Sequence, residues 1–250
     1  MADLQWLGVV RHGQSTGNVL AQAAEAGGLE EIAIPERDAD VPLSDLGRAQ
    51  ARAVGQWLAD LPGGDRPQVA VVSPYLRTRQ TAEIALAGAD IPAVLDERLR
   101  DRELGVLDLL TTRGVEARLP EEAARRRRLG KFYYRPPGGE SWADVLLRLR
   151  SLLGDLRGTH PGGRVILFGH EALVLLVRYL MEDLDEASLM EIARATALGN
   201  CSVSSWRSDG ERLRPERFND VEHLRRTGGA SPTRRDGTPG TGQEDVDADV

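Results

Sequence analysis

Among 250 residues there is one cysteine, Cys201, and aromatic residues make up only 4% of the chain. A single cysteine excludes an intramolecular disulfide and a cysteine-rich metal centre, and it fits a reducing, cytoplasmic setting. No apolar run approaches the about 18 residues of a membrane span. The first residues lack the basic and apolar regions of a secretory leader, so neither a leader nor a membrane partner is expected. Excess positive charge is also missing: 32 Lys and Arg face 39 Asp and Glu, for a net charge of -7. Nucleic acid is therefore a poor partner, and any basic site must be local. The chain has four histidines, with no HExxH and no paired Cys/His spacing, so neither a metal nor a cofactor is expected. His160 reads as a loop residue, and His223 needs no role. No internal repeat is visible.

What is present is an alternation of short apolar runs with helical periodicity, the pattern of βαβ units around a mostly parallel sheet. Length alone admits one large α/β domain or two small ones. Residues 6–10 read as the first strand, and residues 19–41, rich in Ala, Gly and acids, as a loop or short helix. Ser44 caps a helix with Leu46, Ala53, Val54, Trp57, Leu58 and Leu61 on one face, ended by Pro62-Gly63-Gly64. Residues 68–73 and 92–95 read as strands, with a helix over 75–86 between them. The charged stretch 96–140, with a helix near 121–129, reads as an insertion over the sheet and the active site. Ser141 caps a long helix, residues 164–169 form another compact strand, and helices over 172–180 and 185–195 precede a terminal hairpin over 202–207 and 213–218. From residue 227 to 250 there is almost nothing apolar to bury, which predicts a disordered tail behind a domain spanning 1–226.

Ligands of open parallel sheets gather at the carboxyl ends of strands. Arg11 and His12 follow the first strand, Ser73-Pro74 and Arg77 the second, and Gly169-His170-Glu171 the late one. In isolation, His12 reads first as an ordinary polar residue at a strand end. Together, the four side chains make a cationic pocket: two guanidiniums hold phosphate oxygens, one imidazole attacks phosphorus, and the other donates to the transferring group. A departing alkoxide needs a proton, and residues 97–103 supply candidate acids.

The stretches Arg11-His12-Gly13-Gln14-Ser15-Thr16-Gly17-Asn18, Ser73-Pro74-Tyr75-Leu76-Arg77-Thr78-Arg79-Gln80-Thr81-Ala82-Glu83 and Gly169-His170-Glu171, in this order, resemble the histidine phosphatase superfamily, the phosphoglycerate mutase-like proteins. The resemblance runs from about Leu4 to Arg207. It implies a three-layer α/β/α sandwich and a covalent phosphohistidine. By that resemblance His12 is the nucleophile, Arg11 and Arg77 clamp the phosphate, His170 is the second histidine, and Asn18 touches the pocket, with Ser15 and Glu171 as further substrate-binding candidates. Where the family commonly has Glu after Leu-Arg, this chain has Asp101. Asp101 is favoured on register, and Glu103, two residues on, is its competitor. The segment 129–141 resembles a subgroup of these phosphatases without naming a substrate.

Two readings attach to the four arginines at 125–128: an anion-attracting lid, or a solvated helix face paired with Glu121 and Glu122. Phe132, Tyr133 and Tyr134 serve either the insertion's core or a substrate platform. The expected function is a phosphomonoester hydrolase acting on a small phosphorylated substrate. Its alternatives are a phosphoglycerate mutase-type phosphoryl transferase and a non-catalytic phosphate-binding module. Oligomeric state is not legible.

Overall fold

The alternation within the first strand decides the architecture. In the computed structural model, which describes residues 3–228 and 230–233, β1 (Trp6–Arg11) sends Leu7 and Val9 into one apolar cluster and Trp6 and Val10 into another on the opposite face. A strand buried on both faces requires a helical layer on each side.

The chain continues through α1 (Thr16–Ala26), α2 (Asp45–Asp60), β2 (Val69–Val72), α3 (Leu76–Ala85), β3 (Ala93–Leu95), α4 (Thr112–Arg118), α5 (Pro120–Tyr133), α6 (Trp142–Thr159), β4 (Arg164–Gly169), α7 (Glu171–Met181), α8 (Glu186–Ala195), β5 (Val203–Ser208), β6 (Leu213–Asp220) and α9 (Glu222–Arg226). Among the described residues the strands form one sheet in the order β3-β2-β4-β1-β5-β6. It is parallel from β3 to β1 and antiparallel at β5 and β6. Residues of α2, α3 and α9 pack on the Trp6 face, and those of α6, α7 and α8 on the Leu7 face. The fold is thus the expected α/β/α sandwich around a mostly parallel sheet.

Register positions the site. Arg11 lies beside Gly169 in the β1/β4 pairing, and Val72 beside Phe168 in the β2/β4 pairing. The chain therefore leaves three neighbouring strands at one level, carrying His12, Ser73 and His170 out together.

Residues 19–41, expected as a loop or short helix, are the rest of α1 as far as Ala26 followed by loop, and α1 itself begins earlier, at Thr16. Ser15 accepts from the Asn18 amide while the Asn18 side chain accepts from the Ser15 amide, a reciprocal cap with Asn in the place usually held by Glu or Gln. Of the tail expected to be disordered from residue 227, the described residues 230–233 are held against the domain. Ala230 is 1% exposed within the Trp6-face cluster, and the Gln50 amide donates to the Ser231 carbonyl at 2.8 Å and the Thr233 hydroxyl at 2.9 Å. The remainder of that expectation, residues 229 and 234–250, lies outside the described residues.

Within residues 96–140, α4, α5 and the preceding turns enclose a small core of Leu107, Leu110, Val115, Ala123 and Tyr134. Arg148, on α6, fastens this segment to the domain by donating to the carbonyls of Arg98 (2.6 Å), Arg100 (2.9 Å) and Asp101 (3.1 Å) and pairing with Glu140.

Candidate active site

His12 is 1% exposed at the end of β1, and its backbone amide donates to the Gly169 carbonyl at 2.9 Å. Its Nδ1 lies 2.7 Å from the Gly13 carbonyl oxygen. A carbonyl only accepts, so Nδ1 carries the hydrogen, and a neutral ring then offers Nε2 as the nucleophilic nitrogen. The loop is held tightly: the Gly13 amide donates to Thr81 Oγ1 at 3.0 Å, and that hydroxyl donates to the Arg77 carbonyl at 2.7 Å. The first turn of α2 packs directly on the loop. A Cβ added to Gly47 would sit 2.0 Å from the Gln14 carbonyl oxygen, so this close approach requires glycine.

His170 is fully buried, its ring centroid 5.2 Å from that of His12. Nδ1 lies 3.1 Å from Asp101 Oδ2, and Nε2 is within 2.8 Å of Ser73 Oγ and 3.3 Å of Thr78 Oγ1. Facing a carboxylate, Nδ1 is a donor. The Tyr75 ring meets His170 edge-on at 5.2 Å and lies under the Arg77 guanidinium at 5.0 Å. Burial opposes ionisation of Asp101, yet the His170 ring, Arg77 and His12 outweigh it and hold the carboxyl well below the usual carboxylate range.

Both guanidiniums named by the sequence reach the site. Arg11, fully buried, donates to the Leu198 carbonyl, and its Nη2 lies 3.5 Å from Glu171 Oε2. Arg77 is 2.9 Å from Asp101 Oδ2 through Nη2. Its Nη1 donates to the Asp38 carbonyl at 2.7 Å and to Asp38 Oδ1 at 2.9 Å. The pocket expected to be cationic also holds carboxylates: Asp38 and Asp101 are set against Arg77, and Glu171 against Arg11.

The residues assigned to substrate binding have more specific places. Ser15 Oγ is engaged as the N-cap of α1, and Glu171 faces Arg11. Asn18 Oδ1 accepts from the Ser15 amide at 3.0 Å and from Asn200 Nδ2 at 3.2 Å, while Asn200 Nδ2 also donates to the His12 carbonyl at 3.2 Å. Asn200 Oδ1 in turn accepts from the Thr233 hydroxyl at 2.9 Å. Sequence reasoning missed Asp38, Tyr75, Thr81, Arg148, Asn200 and Thr233. Only Tyr75 and Thr81 carried a signal, by lying inside the stretch around Arg77.

Beside Arg77 opens a cavity of about 90 Å³. Ser15, Asn18, Asp38, Asp101, Arg102, Glu103 and Asp108 contribute its polar wall, and Ala21, Ile32, Ile34, Val41, Leu104 and Leu109 its apolar one. Asp101 lies at its inner end on Arg77 and His170, whereas Glu103 accepts from the Tyr75 hydroxyl at 2.9 Å. Burial, with Glu103 next to it, pushes the Tyr75 hydroxyl up, so it stays protonated and donating. None of residues 125–128 lines the cavity, and Arg125 is 3.9 Å from Glu122. Tyr134 packs inside the insertion, and Phe132 meets Tyr179 of α7. No group of three or more His, Cys, Asp or Glu is arranged to hold a metal ion among the described residues, and no described helix is long and apolar enough to cross a membrane.

Residues 7–221 match the family model of the histidine phosphatase superfamily, branch 1. The chain is similar to the 2,3-bisphosphoglycerate-dependent phosphoglycerate mutase 2 of Gloeobacter violaceus, with 35% identity over 190 residues covering 74% of this chain and 78% of that protein. Among solved structures it is similar to a mycobacterial glucosyl-3-phosphoglycerate phosphatase, with a TM-score of 0.69 and 26% identity over 86% of this chain and 98% of that one. Its fold also matches YhfR of Bacillus stearothermophilus, with a TM-score of 0.70 and 24% identity over 87% of this chain and 98% of that one.

Proposed function

Because the chain belongs to the histidine phosphatase superfamily, we propose that it is a phosphomonoester hydrolase working through a phosphohistidine on His12. The observation that carries the reading is the meeting of His12 and His170, ring centroids 5.2 Å apart, with Arg11 and Arg77 at the carboxyl ends of three adjacent strands.

In this reading a phosphate monoester displaces Asp38 from Arg77, and Arg77 and Arg11 hold its oxygens. His12 Nε2 attacks phosphorus as the ester P–O bond breaks. His170 donates to the transferring group, and Asp101, favoured over Glu103 and ionised at rest, takes the proton that the ester monoanion carries in and passes it to the departing oxygen. Water then hydrolyses the P–N bond, releasing inorganic phosphate and returning His12 to its neutral form. Asn18 turns its amide toward the phosphate, while Glu171 orients Arg11. The residues 96–140 close the leaving-group side. The buried, free thiol of Cys201 suits a reducing compartment, and we place the enzyme in the cytoplasm.

A mutase reading is favoured by the 35% identity to a protein named a phosphoglycerate mutase. It differs in one respect: the phosphoryl group returns to a rearranged substrate instead of to water. Hydrolysis of 4-nitrophenyl phosphate, followed with wild type and His12→Ala, tests the nucleophile. Turnover lost in the variant supports the assignment, and equal rates in the two proteins reject it.

A further inference from the structure

The cavity beside Arg77 is where a leaving group must lie, because Asp101 stands at its inner end and the phosphate occupies the arginines and histidines beyond. Its charges are uneven. Asp38, Asp101, Glu103 and Asp108 line it, against Arg77 and Arg102. Arg77 belongs to the phosphate. Arg102 remains a cation on the wall, although its Nε is engaged by the Glu140 carbonyl at 2.7 Å and burial, with Arg126 nearby, lowers its pKa to about 10. The rest of the wall is apolar, from Ala21, Ile32, Ile34, Val41, Leu104 and Leu109. Once Arg77 holds the phosphate, a second anionic group on the substrate would face four carboxylates against Arg102 alone.

Asp108, an exposed residue of the cavity wall, feels the same excess of negative charge. Burial raises its carboxyl pKa, and the charge of Asp38 raises it further. A hydroxyl or ammonium donor placed against it would relieve both effects.

Resting on the phosphatase reading above, we propose that the enzyme selects phosphomonoesters whose leaving group is short, bears hydroxyl or ammonium donors and carries no negative charge, with Asp108 as a specificity-determining residue. Phosphorylated polyols and amino alcohols fit this class. Phosphorylated hydroxy acids do not, although relatives carry such substrates in their names.

The test compares kcat/KM for glycerol 3-phosphate, phosphoethanolamine and 3-phosphoglycerate, the first and last differing by a hydroxymethyl group in place of a carboxylate. Both donors are expected to exceed 3-phosphoglycerate by about tenfold or more, the factor corresponding to ~1.4 kcal/mol of screened repulsion. Asp108→Asn should shrink that ratio and Asp108→Lys should reverse it. A ratio near one in wild type, or one that stays put in both variants, overturns the specificity claim while His12-dependent hydrolysis of 4-nitrophenyl phosphate keeps the phosphatase reading. Absence of His12-dependent turnover on every ester overturns both.

Discussion

Replacing Asp101 by Asn separates two jobs that one carboxylate performs. In the resting site its Oδ2 sits 2.9 Å from Arg77 and 3.1 Å from His170, so it is ionised and neutralises part of the phosphate-binding charge. Two unit charges about 4 Å apart interact by ~4 kcal/mol at an effective dielectric near 20, and rearrangement with Asp38 leaves a fraction of that. Asn removes the competitor for Arg77, and inorganic phosphate should bind about threefold to tenfold more tightly as a product inhibitor. The same change deletes the carboxylate that relays the ester's proton to the departing oxygen. Positioned acids contribute about 10²–10⁴ in rate, and the need is greatest for an alkoxide leaving group. For glycerol 3-phosphate, kcat should therefore fall at least ~100-fold, while 4-nitrophenyl phosphate, whose leaving group needs little help, should lose less than about tenfold. Glu103→Gln, whose amide oxygen still accepts from the Tyr75 hydroxyl, should leave the two esters in their wild-type ratio. The assay is steady-state kinetics on both esters with phosphate inhibition alongside. Equal losses on the two esters in Asp101→Asn, or the ester-dependent loss appearing in Glu103→Gln, would refute the assignment.

Other perturbations follow from the same contacts. Gly47→Ala forces a methyl to 2.0 Å from the Gln14 carbonyl oxygen and must move the nucleophile loop or α2, so urea unfolding should show a loss of about 1–3 kcal/mol together with reduced kcat. Thr233→Val cuts the hydroxyl bonds to Gln50 and Asn200; kcat should fall severalfold with KM little changed, and Thr233→Ser should restore it. Asp144 caps α6 with Ser141 and pairs with Arg135, and the Arg135 bond followed by the Ser141 contacts depresses its carboxyl. A depressed carboxyl stabilises the fold above its unfolded value of about 3.9, and that contribution disappears as pH falls through the folded value. Asp144→Asn should accordingly cost about 1 kcal/mol at pH 7 and progressively less toward acid in denaturant titrations; a constant difference across pH would reject the linkage.

The sequence was most legible where chemistry sits at the end of an apolar run. His12, Arg77 and His170 each follow a strand whose β-branched or aliphatic residues mark it, and parallel register does the rest. Asp101 was legible by its place after Leu99-Arg100, and the structure seats it on Arg77 and His170. Asp38 was not, because it lies in an acidic stretch with no periodicity and reaches Arg77 only through the turn after α1. Asn200 and Thr233 were invisible for a different reason. Their contribution is a chain of hydrogen bonds between segments distant in sequence, and polar side chains of this kind leave no hydrophobic pattern. The same holds for residues 230–233, which dock through Ala230 and hydrogen bonds from the Gln50 amide without any large apolar residue. The start of α1 was hidden because Asn18 performs the reciprocal capping more often done by a longer acid or amide.

The most direct measurement is to mix enzyme and a labelled phosphomonoester, quench in base within milliseconds, and locate the label by peptide mapping. The account requires an alkali-stable, acid-labile phosphoryl group on the peptide containing His12, formed faster than steady-state turnover and missing from His12→Ala. Product formation with that peptide unlabelled at every quench time, or with the label on another side chain, would contradict it.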